Sequence, residues 1–349
     1  MVALCAALTA VIFMSGCQIQ AQPSPSGSFN GQKVEAADCS YGGEIRSVEA
    51  LDANTVIFNL CKADAAFLAK ISHPIFAIQD QAVLDQTRGS SNALSAAVTG
   101  AGAYQLAQYV PGTEVILTPS PTYWGIPARP QKITFRWESD PIVRYHDFQS
   151  ANADVLTSPP SGLIMILRTT AGIKEISTIG MNTVLLTINN RVKPLDNPKV
   201  RQALATLVDR EDITRSYFVQ GSEVASQIIP SRISPGYSGN IAWYATDANA
   251  AKTMLQESGF DFNQSLTLVY PEGGIPGVDT PSVIAQELKS EFAAIGVNLE
   301  LKRVSATELG ASIAAGSDPL YLSWFSADYP DGLAFYEKAF ISGNDVLAG

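Results

Sequence analysis

The stretch VNLELKRVSATELGASIAAGSDPLYLSWF, residues 297–325, decides the fold class of this chain. Its first eight and last six residues are rich in β-branched, aromatic and alternating apolar residues, which favour strands. Between them, Ser305 and Glu308 form the S-x-x-E pattern of a capping box, and Gly316 is a helix stop. The stretch therefore predicts a strand, a helix and a second strand in succession.

The same alternation extends towards the N-terminus. SLTLVY, Ser265–Tyr270, predicts a strand, and a helix begins at Thr280-Pro281 and ends at Gly296. Further helices are predicted after Asn197-Pro198 and after Asp247, the latter ended by Gly259, and NTVLLTINN (182–190) predicts another strand. Repeated units of this kind predict an α/β sheet covered by helices, in which ligands gather at the carboxyl ends of strands. The stretch SWFSADYPD (323–331) lies at such an end.

The N-terminal half has a different pattern, dominated by strands. The residues 44–60 alternate on either side of the turn-forming DAN and predict a hairpin. Strand-like segments at 104–109 and 114–118 are joined by Pro111-Gly112, and KITFRW (132–137) predicts a further strand. Residues 17–40, rich in Ser, Gly, Pro and Gln, are predicted to be a linker.

Length and charge limit the functional classes. The 349 residues, 46% of them hydrophobic, suffice for about two domains. The chain has 23 basic and 33 acidic residues and a formal net charge of −10. No stripe of Lys or Arg could follow a phosphate backbone, so nucleic acid is not expected as a partner.

The N-terminus has the pattern of a lipoprotein leader. Val2–Ser15 is an uncharged run of 14 residues, the length of a signal-peptide core and too short for a membrane helix. MSGC (14–17) resembles a bacterial lipobox, which predicts a signal peptide over residues 1–16 and a lipid on Cys17. An ordinary secretory peptide with an incidental cysteine is the alternative, because a basic start is missing. Either way the expected location is extracytoplasmic, and the lipobox predicts a membrane-anchored lipoprotein in the periplasm or at the cell surface.

The remaining polar and sulfur chemistry is sparse. Cys39 and Cys61 could form a disulfide, but Cys61 ends a strand-like run and could equally be a buried thiol. The two histidines, His73 and His146, lie far apart without a second ligand at metal spacing, so no metal is expected. The glycine-rich segments lack nucleotide-binding patterns, and no cofactor is predicted.

Six segments in order resemble the family 5 extracellular solute-binding proteins of ABC transporters, which include dipeptide, oligopeptide and nickel binders. The segments are GAGAYQL, VPGTEVILTPSPTYWG, KITFRW, NTVLLTINN, LDNPKVRQALATLVDREDI and WFSADYPDGLAF. The resemblance covers about residues 44–340. It implies an α/β, type II periplasmic-binding-protein fold whose two lobes, here 41–178 and 179–349, close about a hinge. It also implies that lobe one is incomplete, because family members carry further segments before and after these.

The resemblance implies a ligand site in WFSADYPD. In peptide-binding members the matching Asp pairs with the peptide's α-ammonium and the matching Trp lines the pocket, which places Asp328 and Trp324 in the site, with Tyr329 beside them. A partly desolvated carboxylate is well suited to an ammonium. The alternative is that Trp324 belongs to the core and Asp328 is a solvated acid or helix cap.

The expected function is that of a lipid-anchored, monomeric substrate-binding component of an ABC importer, which captures peptides or similar small solutes for a membrane permease. No enzymatic activity is expected. One alternative is a truncated or degenerate lipoprotein that binds no ligand. A hydrolase using Asp328 and Asp331 is a further alternative, but no nucleophile, metal or oxyanion hole accompanies the two carboxylates.

Overall fold

A computed structural model describes residues 31–96, 98–178 and 180–340 of the chain. The predicted signal peptide, residues 1–16, and Cys17 lie outside the described residues. The chain divides into two compact units, residues 1–65 and 66–349. The lobe boundary predicted between residues 178 and 179 is a different division and stays a prediction.

The first unit contains a three-stranded antiparallel sheet. Its strands are β1 (Gln32–Glu35), β2 (Ile45–Asp52) and β3 (Thr55–Leu60), in that spatial order. The β2–β3 pairing confirms the predicted hairpin. Strand β1 falls within the predicted linker, so the expectation of unstructured chain is wrong for these four residues. The side chains of β1 are all exposed, so no pattern of buried residues marks the strand in the sequence. Backbone pairing with β2 holds the strand in place.

A disulfide between Cys39 and Cys61 joins the segment after β1 to the end of β3. The two Cα atoms are 5.6 Å apart. The backbone N–H of Cys61 also donates to the carbonyl of Glu44 at 2.7 Å. Of the two readings of these cysteines, the structure therefore contains the disulfide.

The second unit contains seven strands and eleven α-helices among its described residues. The strands are β4 (Tyr104–Val110), β5 (Glu114–Pro119), β6 (Ile133–Arg136), β7 (Asn182–Ile188), β8 (Ser265–Pro271), β9 (Asn298–Val304) and β10 (Leu320–Ser326). The helices are α1 (Phe67–Ile71), α2 (Gln81–Thr87), α3 (Ser91–Ala96), α4 (Pro141–Gln149), α5 (Ser161–Thr169), α6 (Pro198–Leu207), α7 (Arg210–Tyr217), α8 (Ala248–Glu257), α9 (Ser282–Ala294), α10 (Ala306–Ala315) and α11 (Leu333–Phe340).

A four-stranded sheet with the order β7-β10-β8-β9 forms the centre of the α/β region. Strand β8 is parallel to both β9 and β10, whereas β7 is antiparallel to β10. The units β8-α9-β9 and β9-α10-β10 are the strand-helix-strand pattern that the sequence predicts. The carboxyl ends of β8, β9 and β10 consequently lie at one edge of the sheet.

Local signals in the sequence position the helices around this sheet. Asn197 accepts a hydrogen bond from the N–H of Lys199 at 3.0 Å, with Pro198 at the first helical position of α6. The predicted capping box of Ser305 and Glu308 is present at α10, and Gly316 adopts φ +60° at its end. Burial of the apolar faces of these helices against the sheet drives the packing. The buried residues of α6 are Val200, Ala203, Leu204, Thr206 and Leu207.

One face of the three-stranded sheet β4-β5-β6 is only partly covered. Antiparallel pairing places six apolar residues on a single face: Leu106, Tyr109, Val115, Leu117, Ile133 and Phe135. Tyr109 is 46% exposed and Phe135 is 55% exposed. Among the described residues from 67 to 178, no hydrophobic side chain is fully buried. The buried core of this unit lies almost wholly between Leu195 and Ala339.

No helix in the described part of the chain combines the length and the hydropathy needed to cross a membrane.

Candidate functional site

The candidate site is the loop that leaves β10 at the carboxyl edge of the four-stranded sheet. The N–H of Ala327 donates to the carbonyl of Met181 at 3.0 Å, and the N–H of Gly332 donates to the carbonyl of Pro235 at 2.9 Å. At Gly236, φ is +124° and a Cβ atom would lie 2.8 Å from the Cα of Gly332. This close approach requires glycine, so both ends of the loop are fixed by backbone contacts.

Asp328 lies in this loop with an exposed carboxylate. Its side chain is 64% exposed, and Oδ2 is 2.7 Å from the Nζ of Lys338 on α11. The same ammonium donates to the carbonyl of Ser326 at 3.1 Å. The Asp328 carboxylate and the Ser326 carbonyl therefore form a binding site for an ammonium group, which Lys338 occupies.

Tyr329 joins a second charged group in the same region. Its hydroxyl donates to Oε2 of Glu337 at 2.9 Å, and Oε1 of Glu337 is 3.3 Å from the Nζ of Lys70 on α1. The Lys70 ammonium also lies 5.8 Å from the centroid of the Tyr329 ring. At this distance the ring and the cation attract each other. Tyr329 thus links α1 to α11 through charged side chains.

Trp324 lies within β10 and faces the core over part of its surface. It shares a strand face with Leu320 and Leu322, since side chains two apart point to the same side. The indole is half-buried and packs against the main hydrophobic core. The structure therefore places Trp324 both in the core and at the sheet edge, four residues before Asp328.

Asp331 has a structural contact that accounts for its position. Its Oδ1 accepts a hydrogen bond from the N–H of Leu333 at 2.8 Å, at the start of α11. A carboxylate here satisfies a helix N–H group and stabilises the helix terminus. The hydrolase alternative assigns this residue to acid or base catalysis, for which its contacts offer no support.

The histidines have structural surroundings of their own. His73 accepts a hydrogen bond through Nδ1 from the N–H of Ile75 at 3.2 Å, at the start of the 3-10 helix Pro74–Phe76. His146 lies in the last turn of α4, with its ring centroid 6.0 Å from that of Tyr145. Within the described ranges, no cluster of three or more His, Cys, Asp or Glu residues could hold a metal ion.

A cavity of about 320 Å³ lies between α4 and α5, away from the predicted site residues. Its lining includes Tyr145, Phe148, Leu167 and Ile173, and it includes none of Trp324, Asp328 and Tyr329. The residues that sequence analysis missed are Lys70, Glu337 and Lys338. Lys70 is 258 residues from Asp328 in the chain, so no local sequence pattern predicts that the two residues lie in the same region.

Known proteins are similar to this chain in sequence and in fold. It is 27% identical over 259 residues to the dipeptide-binding protein of Escherichia coli K12, covering 74% of this chain and 48% of that protein. The substrate-binding protein CtaP of Listeria monocytogenes has a TM-score of 0.76 at 23% identity, covering 86% of this chain and 61% of that one. A dipeptide-binding protein from Pseudoalteromonas in complex with Met-Leu has a TM-score of 0.66 at 20% identity, covering 85% and 59%.

The mixed α/β architecture and these structural likenesses show the type II periplasmic-binding-protein fold. The match to the family model described as "Bacterial extracellular solute-binding proteins, family 5 Middle" covers residues 18–346. The chain belongs to this family. It spans about half the length of the curated relatives it matches, 48% of the E. coli protein named above.

Proposed function

We propose that this chain is the solute-capturing component of a bacterial ABC importer and that it binds peptides or similar small solutes through Asp328. One observation carries the proposal: the Asp328 carboxylate lies at the carboxyl edge of the sheet and holds an ammonium group at 2.7 Å. The names of relatives supply the ligand class, because the E. coli relative is called a dipeptide-binding protein.

The chemistry of the loop suits the α-ammonium of a peptide. A hydrogen bond between an ammonium and a carboxylate contributes about 1.5–3 kcal/mol, and more where water is excluded. The half-buried Trp324 and the Tyr329 ring offer apolar surface within a few residues of Asp328. Backbone hydrogen bonds would accept peptides of different sequence, as in other extended-peptide sites. Asp328 thus binds the amino terminus, with Trp324 and Tyr329 as the neighbouring walls.

Delivery to a permease and attachment to the membrane complete the proposal. Binding proteins with two lobes close around a ligand by a hinge motion, and closure presents the solute to its transporter. The lipobox-like MSGC supports a lipid on Cys17, which would hold the protein at the outer side of the membrane. The family places its members outside the cytoplasm, which agrees with this arrangement. We propose no catalytic step.

A titration with a free and a blocked dipeptide tests the role of Asp328. Met-Leu is a suitable probe, because a structural relative binds it. We expect Asp328→Asn to weaken binding of Met-Leu about tenfold or more in isothermal titration calorimetry, since a charge-assisted bond is lost. Binding of N-acetyl-Met-Leu, which has no ammonium, should change much less.

Glu300→Gln is the matched control, because it removes one negative charge from an exposed position on β9 of the same sheet. It should leave the affinity for both ligands unchanged. Equal losses for Met-Leu and its acetylated form in Asp328→Asn would show that Asp328 does not bind the amino terminus.

A lipoprotein that binds no solute is the second candidate. The apolar face of the β4-β5-β6 sheet favours it, since a partly covered face with Tyr109 and Phe135 exposed weakens the part of the fold that would form one wall of a cleft. The two candidates differ in thermal behaviour, because a ligand stabilises a receptor by mass action. A melting temperature that does not rise with millimolar Met-Leu or with a peptide mixture would favour the second candidate.

A further inference from the structure

The cation at Asp328 comes from the protein itself. Lys338 projects from the last turn of α11 and places its ammonium 2.7 Å from Oδ2 of Asp328 and 3.1 Å from the carbonyl of Ser326. This is the position that the proposed function gives to the ammonium of a ligand. The Lys338 side chain is 33% exposed, so it can move into solvent when another cation arrives.

Two ion pairs form beside the loop without a ligand. Asp328 is paired with Lys338, and Glu337 is paired with Lys70 at 3.3 Å. A third carboxylate in the loop, Asp331, accepts a hydrogen bond from the N–H of Leu333 instead. An incoming ammonium gains a bond to Asp328 and displaces the bond that Lys338 already makes, so its net gain is smaller than a solvated, unpaired carboxylate would provide.

We propose that Lys338 is a specificity-determining residue that competes with the ligand's ammonium for Asp328. This inference rests on the proposed function and specifies which peptides the site accepts. Lys338 lowers the advantage of a free amino terminus, and the site consequently accepts peptides with free and with blocked amino termini at more similar affinities. Ligands without an ammonium leave the Lys338–Asp328 pair in place and are not subject to the competition.

The ratio of the two dissociation constants, for N-acetyl-Met-Leu and for Met-Leu, measures this effect. We expect Lys338→Met to raise the ratio about fivefold, which corresponds to about 1 kcal/mol, the upper end for a solvent-exposed ion pair. The gain should come from tighter binding of Met-Leu alone. Lys338→Arg keeps a cation beside Asp328 and should keep the ratio within about twofold of the original chain.

Lys302→Met is the matched control. Lys302 forms an ion pair with Asp318 at 3.1 Å, and Asp318 precedes β10 whereas Asp328 follows it. The control removes the same charge at the opposite end of the strand and should leave the ratio unchanged. Lys338→Gln provides a second substitution without a charge, and it should also raise the ratio about fivefold, so the test stands even if Lys338→Met folds poorly.

The outcomes separate the inference from the function on which it rests. If Asp328→Asn reduces Met-Leu binding selectively but the Met and Gln variants at Lys338 leave the ratio unchanged, the pair is an ordinary surface ion pair and the inference is wrong. If Asp328→Asn has no selective effect, or no variant binds either ligand, the proposed function fails and takes the inference with it.

Discussion

Replacement of Glu291 by Gln should stabilise the α/β region at alkaline pH and have little effect in acid. Glu291 lies on α9, and its Oε1 accepts a hydrogen bond from the N–H of Asp209 at 2.9 Å. Its Oε2 is buried and makes no hydrogen bond within the described part of the chain. Burial, and then the nearby carboxylates of Glu287, Asp209 and Asp212, raise the pKa of Glu291 from 4.5 to about 7.

The direction of the pH dependence follows from this shift. Between pH 4.5 and 7 the folded protein holds a proton on Glu291 that the unfolded chain has released, so the free energy of unfolding falls as the pH rises. The stabilising contribution of the protonated carboxyl is complete below about pH 4.5 and lost above about pH 7. A shift of this size corresponds to about 3 kcal/mol without screening. The side chain is only partly buried, so we expect about 1–2 kcal/mol.

Chemical denaturation of the original chain and of Glu291→Gln at pH 5 and pH 8.5 measures this contribution. Gln retains an oxygen acceptor for the Asp209 N–H and carries no charge at either pH. We expect the variant to be more stable than the original chain by about 1–2 kcal/mol at pH 8.5, with most of the difference gone at pH 5.

Glu308→Gln provides a control that should destabilise the chain equally at pH 5 and pH 8.5, because both lie above the ordinary pKa of this carboxyl. The N–H and hydroxyl of Ser305 donate to the Glu308 carboxylate at 2.8 Å each and lower its pKa. Its charge therefore stabilises the folded chain above the ordinary pKa of 4.5, and this contribution is lost as the pH falls through the lowered value. A Glu291→Gln effect that is equal at pH 5 and pH 8.5 would refute the assignment of a raised pKa to Glu291.

Two further predictions concern stability. Phe335→Ala should cost about 3–5 kcal/mol in denaturant unfolding, because Phe335 is 1% exposed. Phe135→Ala should cost less than about 0.5 kcal/mol, because Phe135 is 55% exposed. Equal costs for the two variants would contradict this difference in burial. Replacing Cys39 and Cys61 together by Ser should destabilise the first unit by about 3 kcal/mol, since the disulfide closes a loop with a sequence separation of 22. A loss of stability below about 1 kcal/mol in denaturant unfolding would contradict this expectation.

Much of the α/β region can be predicted from local signals. Asn197-Pro198, the Ser305 and Glu308 capping box and Gly316 place helix ends correctly, because caps act within a few residues of the chain. The sequence does not predict strand β1, since its side chains are all exposed and its stability depends on pairing with β2. The sequence leaves the Cys39–Cys61 disulfide undecided, because cysteine spacing does not determine connectivity.

The candidate site was predicted less completely. The order of the motifs pointed to Asp328, Trp324 and Tyr329, and the structure shows that Asp328 and Tyr329 follow the carboxyl end of β10. The partners of these residues were not predicted. Lys338 reaches Asp328 because α11 folds back beside the loop, and Lys70 reaches Glu337 across a sequence separation of 267.

The sequence by itself determined the succession of strands and helices, the helix caps, the family and the acidic residue of the candidate site, because each depends on residues close together in the chain or on ordered motifs. Only the tertiary structure decided that Asp328 holds Lys338, that Cys39 is bonded to Cys61, and that one face of the β4-β5-β6 sheet is only partly covered. These features depend on which distant segments meet, and burial and charge pairing become defined only when the chain has packed.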